Sequence, residues 1–251
     1  NEATGMATLT GNTNVVKNDL HLTCDSLLFY SREDILKNFN NVHIWDSDYN
    51  LTADSVIYLT KIDSGYANGN ATLIQQKQTI KSDALHYHKK SESDAVSYEA
   101  LGNVIIEEGT RIATCGHAIY DRDAGKTVLK VNPEINDGGR NLSGTEISLY
   151  YENEQLKTLF IPSKAHMVSP QFGWRKTVSD SLIQRDSVEI MNDLQGKTLN
   201  GFFISGELDS LRLAGMATSV YHVFEDSIYK GINEASGDTI TMLFDKKNME
   251  E

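Results

Sequence analysis

The chain has 251 residues, of which 39% are hydrophobic and 23% charged, a composition typical of a folded protein rather than a disordered or membrane-spanning one. Lys and Arg number 23 against 35 Asp and Glu, and the resulting charge of −12 argues against nucleic-acid binding, which needs clustered cations. Two cysteines exclude a disulfide-dense scaffold, and the longest apolar stretches are too short for a transmembrane helix.

A repeat of 29 residues dominates the first part of the chain. Asp25, Asp54 and Asp83 recur at this spacing. Each has Leu or Ile three positions before it, a small residue one position before it, and apolar or aromatic residues two and four positions after it. Looser copies continue the series at residues 113–120, 142–149, 183–190 and 235–242.

A second motif alternates with the first and consists of a Gly or Asn turn followed by alternating apolar and polar residues. It stands at residues 3–9, 39–44, 67–73, 100–106 and 214–220. Alternation with period two is typical of β-strands, and Gly and Asn supply the positive φ that the turn needs. The sequence therefore predicts an all-β protein of stacked antiparallel strands, in which neighbouring repeats bury each other's apolar faces.

The repeats divide the chain into four parts. We predict a β-jellyroll segment over residues 1–151, an irregular connection over 152–182, a second and shorter β segment over 183–244, and a charged tail over 245–251. The connection is predicted because this part of the chain holds two of the three prolines and shows little alternation.

The two motifs together resemble those of OstA-like proteins. Residues 69–71 (Gly-Asn-Ala) and 102–104 (Gly-Asn-Val) are similar to the Gly-Asn-Val strands of that family, and residues 80–87 are similar to the strand that follows them. The resemblance covers residues 1–150 well and 183–244 weakly. It implies an elongated, open β-jellyroll, which is a sheet folded over an apolar groove.

The resemblance also implies a function, because the family includes LptA-like periplasmic proteins of lipopolysaccharide transport. Such a protein binds acyl chains in its groove and performs no covalent chemistry. The implied partners are lipopolysaccharide or lipid A, and other transport proteins or a second copy joined through exposed edge strands. The implied location is the periplasm, with a signal peptide removed from, or lying outside, the given sequence, since residues 1–4 resemble none.

Alternation places the residues two and four positions after each recurrent Asp, or its equivalent, on one face of the sheet. We predict that this face lines the groove. The residues are Leu27, Phe29, Val56, Tyr58, Leu85, Tyr87, Ala118, Tyr120, Ile147 and Leu149. The alternative, that they pack the core, stays open, because the groove of such a fold is its partly opened core.

Other polar patterns favour structural roles, and we expect no cofactor and no metal. We expect the recurrent Asp residues to cap backbone N–H groups at turns or strand ends, since isolated carboxylates do not form a calcium cage. His86 and His88 share a strand face but lack a third metal ligand. Cys24 and Cys115 occupy equivalent positions three repeats apart, too far for a disulfide, so both are expected to be free and buried.

Two other functions remain open at this point. A structural or adhesive β-solenoid of the cell envelope would have a sealed core and an aromatic outer stripe. A carbohydrate-active enzyme on a β-helix would need carboxylates that project together into a groove, for which the Asp series is the one candidate. The basic and aromatic residues at 174–176 are interpreted as a surface loop, with contact to anionic sugar phosphates as the alternative.

Overall fold

The structure is a computed structural model and describes residues 5–75, 77–89, 96–121, 124–153, 155–179 and 182–244. All regular secondary structure in these ranges is β-strand, which confirms the all-β fold class. The described ranges therefore contain no helix with the length and apolar character needed to cross a bilayer. The chain divides into two compact units, Asn1–Val131 and Asn132–Glu251.

The first unit is an antiparallel meander in which each strand pairs with the next along the chain. The recurrent Asp motif forms the even-numbered strands β2, β4 and β6, and the Gly-Asn motif forms the odd-numbered strands between them. The strands are β1 (Met6–Lys17), β2 (Leu20–Tyr30), β3 (Ile35–Trp45), β4 (Tyr49–Leu59), β5 (Ser64–Gln75), β6 (Gln78–Lys89), β7 (Val96–Glu108), β8 (Arg111–Asp121) and β9 (Lys126–Lys130).

A bend crosses the middle of these strands, and we call it the corner. The register shifts there because strands β1, β3, β5 and β7 each carry one more residue than their neighbours, which is a β-bulge. Two consecutive residues with positive φ form each bulge, for example Gly69 (77°) with Asn70 (49°), and Gly102 (72°) with Asn103 (44°). The Gly-Asn motif is therefore the sequence signal of the corner, since these residues adopt positive φ most easily.

The recurrent Asp residues lie at the same corner. The side-chain amides of Asn41, Asn70 and Asn103 each donate a hydrogen bond to the recurrent Asp of the preceding strand, over 3.0, 3.2 and 2.9 Å. A Cβ on Gly69 would lie 2.2 Å from Oδ2 of Asp54, so the carboxylate occupies the space above the glycine. We expected these carboxylates to cap backbone N–H groups at strand ends. The structure instead places them at mid-strand on asparagine side chains, because each strand bends at its middle.

The fourth copy of the Asp motif reverses this arrangement. Gly116 stands in the place of Asp, and its N–H donates to the carbonyl of Val131 over 2.8 Å. A Cβ on Gly116 would lie 2.8 Å from Cγ1 of Val131, whose φ is 62°. The side chain that fills the corner thus comes from the following segment instead of from β8.

A row of small buried side chains lines the inside of the corner and consists of Cys24, Ala53, Ser82 and Cys115. Both cysteines are buried and free, as the sequence led us to expect. Burial raises the pKa of both thiols above the usual value for cysteine.

The second unit contains the strands of the remaining described residues. They are β10 (Glu134–Asp137), β11 (Arg140–Ser143), β12 (Glu146–Glu152), β13 (Gln155–Ile161), β14 (Ala165–Ser179), β15 (Leu182–Gly196), β16 (Thr198–Ile204), β17 (Glu207–Glu225) and β18 (Ile228–Leu243). Two long hairpins, β14–β15 and β17–β18, form much of this unit. Its core contains Leu194, Leu199, Leu211 and Leu213.

The structure differs from the expected irregular connection over residues 152–182. Strands β13 and β14 both lie entirely in this part of the chain. Pro170 is tolerated in β14 because it lies between the residues that pair with β11 and the residue that pairs with β18. The boundary between the units follows Val131, whereas the sequence placed a boundary after residue 151. The expected tail at 245–251 lies outside the described residues.

Candidate functional site

Two parallel rows of side chains cross the strands of the first unit. Both rows lie on the side of the corner that contains the C-terminal halves of the even-numbered strands. The inner row contains Leu9, Leu27, Asn38, Val56, Ala67, Leu85, Ala100, Ala118 and Leu129, which are successive partners in the strand register. The second, which we call the tyrosine row, contains Phe29, Leu36, Tyr58, Gly65, Tyr87, Tyr98, Tyr120 and Thr127.

A third row crosses the strands on the other side of the corner, and we call it the opposing row. It contains Val15, Leu22, Ile44, Leu51, Leu73, Ile80, Ile106 and Ala113. The inward-facing positions of the even-numbered strands shift by one residue at the corner, so that residues from both halves of one strand, such as Leu51 and Val56 of β4, face the same interior. The first unit is therefore a sheet folded over on itself.

An apolar cavity of about 340 Å³ lies between the two halves of this folded sheet. It is lined by Val15, Lys17, Leu20, Leu22, Leu36, Asn38, Ile44, Tyr49, Leu51, Val56, Tyr58, Thr60, Asp63, Gly65, Tyr66, Ala67, Leu73, Leu85, Tyr87 and Tyr98. Its volume is at the lower end of the roughly 300–1,000 Å³ of typical ligand sites. Aliphatic and tyrosine side chains dominate the lining, so the cavity is chemically suited to an apolar chain.

The cavity narrows sharply toward β9. A second space of about 10 Å³ lies between β6 and β9, where it is lined by Gln78, Ile80, Leu85, Tyr98, Ala100, Ile106, Ala118, Tyr120 and Thr127. That volume is close to the space that one water molecule needs. Leu85 and Tyr98 line both spaces and therefore stand between them.

The structure brings eight of the ten predicted groove residues into two adjacent rows. Leu27, Val56, Leu85 and Ala118 lie in the inner row, and Phe29, Tyr58, Tyr87 and Tyr120 lie in the tyrosine row. The members that line one or both of the spaces described above are Val56, Tyr58, Leu85, Tyr87, Ala118 and Tyr120. Their role in binding stays a prediction.

The remaining predicted residues lie away from the cavity lining. Leu27 is buried and Phe29 is half-buried at the β2 end of the two rows. Ile147 and Leu149 belong to β12 of the second unit, where both are buried and Leu149 pairs with Leu159.

Our prediction from the sequence did not include the opposing row, which forms the other wall of the cavity. A signal for it exists, because Leu22, Leu51 and Ile80 are the apolar residues three positions before each recurrent Asp. Unbroken alternation along each strand predicts a single interior face, whereas in the structure two such faces meet across the corner.

Polar groups are few in the cavity lining and most are tyrosine hydroxyls. The Tyr58 hydroxyl donates a hydrogen bond to the carboxylate of Asp63, in the β4–β5 turn. Burial, followed by this hydrogen bond, raises the pKa of Tyr58. Burial and the nearby charge of Asp46 raise the pKa of Tyr49 in the same direction. Both hydroxyls therefore stay protonated, and neutral, at physiological pH.

The histidines considered as metal ligands, His86 and His88, do not converge on a common site. Glu99 on the outer surface lies 2.7 Å from Nε2 of His117 and 3.7 Å from Nδ1 of His86, while His88 is exposed. Within the described ranges, no group of three or more His, Cys, Asp or Glu side chains has the arrangement of a metal site.

The basic and aromatic cluster at 174–176 lies on β14 rather than in a loop. The Trp174 side chain is exposed, and the backbone N–H of Trp174 donates a hydrogen bond to the backbone carbonyl of Ser227 over 2.7 Å. The Arg175 guanidinium lies 5.3 Å from the centre of the Tyr229 ring. Adjacent residues of a strand point to opposite faces, so Trp174 and Arg175 do not form one contact surface.

Comparisons with known proteins follow the division of the chain. The family model of OstA-like proteins matches residues 1–132, which include the whole first unit. Among solved structures, the chain is similar to LptH of Pseudomonas aeruginosa, the LptA homologous periplasmic component of the conserved lipopolysaccharide transport device. The two sequences are 9% identical, and the TM-score of the two structures is 0.21. The similarity covers 60% of this chain and 79% of LptH. No curated protein matches the chain.

Proposed function

Because the chain belongs to the OstA-like protein family, we propose that it is a periplasmic carrier in lipopolysaccharide transport that holds acyl chains in the cavity of its first unit. The observation that carries this proposal is the apolar cavity of about 340 Å³ between the inner row, the tyrosine row and the opposing row. The proposed ligand is lipopolysaccharide or lipid A, bound without covalent chemistry.

The energetics of the cavity support such a ligand. Each methylene moved from water into an apolar site contributes about 0.8 kcal/mol. The net charge of −12 argues against capture of an anionic glycolipid head by the overall field of the protein, so the acyl chain supplies most of the affinity. The proposed contacts are the predicted residues of the cavity lining, Val56, Tyr58, Leu85 and Tyr87.

The edge of the first unit supports contact with a partner strand. Strand β1 pairs antiparallel with β2 and is the first strand of the meander. Strand β1 also exposes Met6, Leu9 and Val16. Strand addition is a common mode of recognition, and exposed apolar side chains on the first strand favour it, so the proposed partner is another transport protein or a second copy that pairs with β1.

The alternative function, a structural or adhesive β-solenoid, is less well supported. That function would be favoured by a sealed interior, whereas the interior between β1 and β6 is open enough for a ligand. The enzyme hypothesis needs carboxylates that converge in a groove. The recurrent Asp residues instead lie at the corner, each bonded to an asparagine side chain.

Native mass spectrometry of the purified full chain with added lipid A tests the proposal. We expect a complex of defined stoichiometry with the unaltered protein and loss of that complex with Leu85→Asp, which places a charge in the cavity. The matched control is Ile74→Asp, because Ile74 is 46% exposed on the outer face of β5. Circular dichroism shows whether each variant is folded.

Two results would contradict the proposal. One is an unaltered protein whose mass no acylated glycolipid shifts. The other is a folded Leu85→Asp variant that binds lipid A as well as the Ile74→Asp variant does.

A further inference from the structure

The abrupt narrowing of the cavity points to a limit on ligand length, and this inference rests on the proposed function. We propose that the first unit accepts a single acyl chain end-on, with the methyl end stopped by Tyr98 and Tyr120 and the anionic end near Lys17. Tyr98 is then the residue that determines the longest chain the interior accommodates.

The constriction is built from side chains of the inner row and the tyrosine row. Leu85 and Tyr98 separate the space of about 340 Å³ from that of about 10 Å³. Tyr98 is held on both sides in the tyrosine row, because its ring centre lies 5.7 Å from that of Tyr87 and 6.1 Å from that of Tyr120. A ring fixed by two neighbours does not move aside easily, so it forms a defined end wall.

The space beyond the constriction does not suit a methylene chain. Its volume of about 10 Å³ is that of one water rather than of a hydrocarbon segment. The Thr127 hydroxyl, which lines this space, is buried and has no hydrogen-bond partner in the described part of the chain. Apolar atoms in this space would take the position from which a water molecule could hydrogen-bond to the buried hydroxyl, which is unfavourable.

The charges of the cavity lining give the ligand an orientation. Among the lining residues, Lys17 and Asp63 carry the formal charges. The Asp63 carboxylate accepts the hydrogen bond from Tyr58, whereas Lys17 lies exposed at the end of β1, where its ammonium group can meet an anion. An anionic end is therefore favoured at the β1 side, and the methyl end then points toward the constriction.

The strand spacing sets the length scale of the site. From β1 to β6 the interior spans about 24 Å at ~4.8 Å per strand. A chain whose extended length exceeds this span leaves its additional methylenes in water. Removal of the Tyr98 ring would join the two spaces and add up to about 14 Å, which corresponds to three more strand spacings.

Isothermal titration of the full chain with saturated fatty acids of increasing length, from caprylic acid to lignoceric acid, whose extended chain is longer than this span, tests the inference. In the unaltered protein we expect affinity to rise about fourfold per added methylene and then to stop rising at one chain length. In Tyr98→Ala we expect the rise to continue to longer chains. Tyr98→Phe, which keeps the ring, is the matched control and should keep the original limit.

Two further variants separate the parts of the proposal. Tyr120→Ala should also move the limit to longer chains, and it replaces Tyr98→Ala if that variant does not fold. Lys17→Gln should lower the affinity for every chain by the same factor and leave the limit in place.

The outcomes distinguish this inference from the function on which it rests. Affinity that rises through the whole series in the unaltered protein, or a limit that stays in place in both folded alanine variants, overturns the length limit and leaves the carrier function standing. Lys17→Gln affinities equal to those of the unaltered protein overturn the orientation. Failure of every fatty acid and of lipid A to bind overturns the carrier function as well.

Discussion

The corner of the folded sheet predicts that two glycines of the same motif differ in their tolerance of a methyl group. Gly11 in β1 and Gly69 in β5 both begin a positive-φ pair, with φ of 81° and 77°. A Cβ on Gly11 would have no neighbour within 4 Å, whereas a Cβ on Gly69 would lie 2.2 Å from Oδ2 of Asp54. The change Gly→Ala therefore tests backbone strain alone at the first site and strain plus a steric overlap at the second.

The expected magnitudes follow from these two contributions. A left-handed backbone costs a non-glycine residue about 1–2 kcal/mol, so Gly11→Ala should lower the free energy of unfolding by about that amount. In Gly69→Ala the Asp54 carboxylate must also move and loses the 3.2 Å hydrogen bond from Asn70. Since such a bond to a charged group contributes about 1.5–3 kcal/mol when buried and less when exposed, the total loss should be about 2–4 kcal/mol.

Urea unfolding with a fluorescence readout measures both losses. The chain has two tryptophans, and Trp45 belongs to the first unit. A Trp174→Phe background therefore reports on that unit alone. Adding Asp54→Ala should reduce the effect of Gly69→Ala to that of Gly11→Ala, because the overlap is removed. Equal losses at Gly11 and Gly69 in the Asp54-containing protein would refute the role assigned to the carboxylate.

Three further predictions concern other groups of the first unit. Because the pKa of Tyr58 is raised above its ordinary value of 10, its contribution to stability should be complete below about pH 10 and should be lost as the pH rises beyond that value. Tyr58→Phe should therefore flatten the alkaline decline in melting temperature, measured by thermal unfolding at a series of pH values. An unchanged decline would contradict the role assigned to Tyr58. Cys24 and Cys115 should react with a thiol reagent only after urea unfolding, so rapid labelling of the native protein would show that the corner is open. Lys81→Met should change the free energy of unfolding by less than about 1 kcal/mol, since the 2.9 Å pair with Glu107 is exposed, and a larger loss in urea unfolding would contradict this.

The repeat could be predicted from the sequence because each 29-residue copy is one even and one odd strand of the meander. Residues two and four positions after Asp54 and Asp83 fall in the inner row and the tyrosine row because no bulge interrupts the even strands after the Asp. Alternation is therefore reliable on that side of the corner. It failed across the corner, where the inward-facing set of an even strand shifts by one position, from Leu51 and Ala53 to Val56 and Tyr58 in β4, and the opposing row was missed for that reason.

Two features of the structure could not be predicted from the sequence, and each has a physical reason. Strand β14 contains Pro170 and little alternation, and it is stabilised by pairing with β15, which is a tertiary effect. The constriction depends on how closely the two halves of the sheet approach at Tyr98 and Tyr120. That separation results from the packing of four strands, so it cannot be predicted from the sequence of any single repeat.

Site-specific photo-crosslinking in a lipopolysaccharide-producing cell tests the central claim, that the interior of the first unit binds acyl chains. A photoreactive residue replaces Val56, which is buried in the inner row and lines the cavity, or Ile57, its neighbour on the opposite face of β4. The account predicts lipopolysaccharide adducts from position 56 and few or none from position 57. Adducts of equal yield at both positions, or none at position 56 in a folded protein, would contradict it.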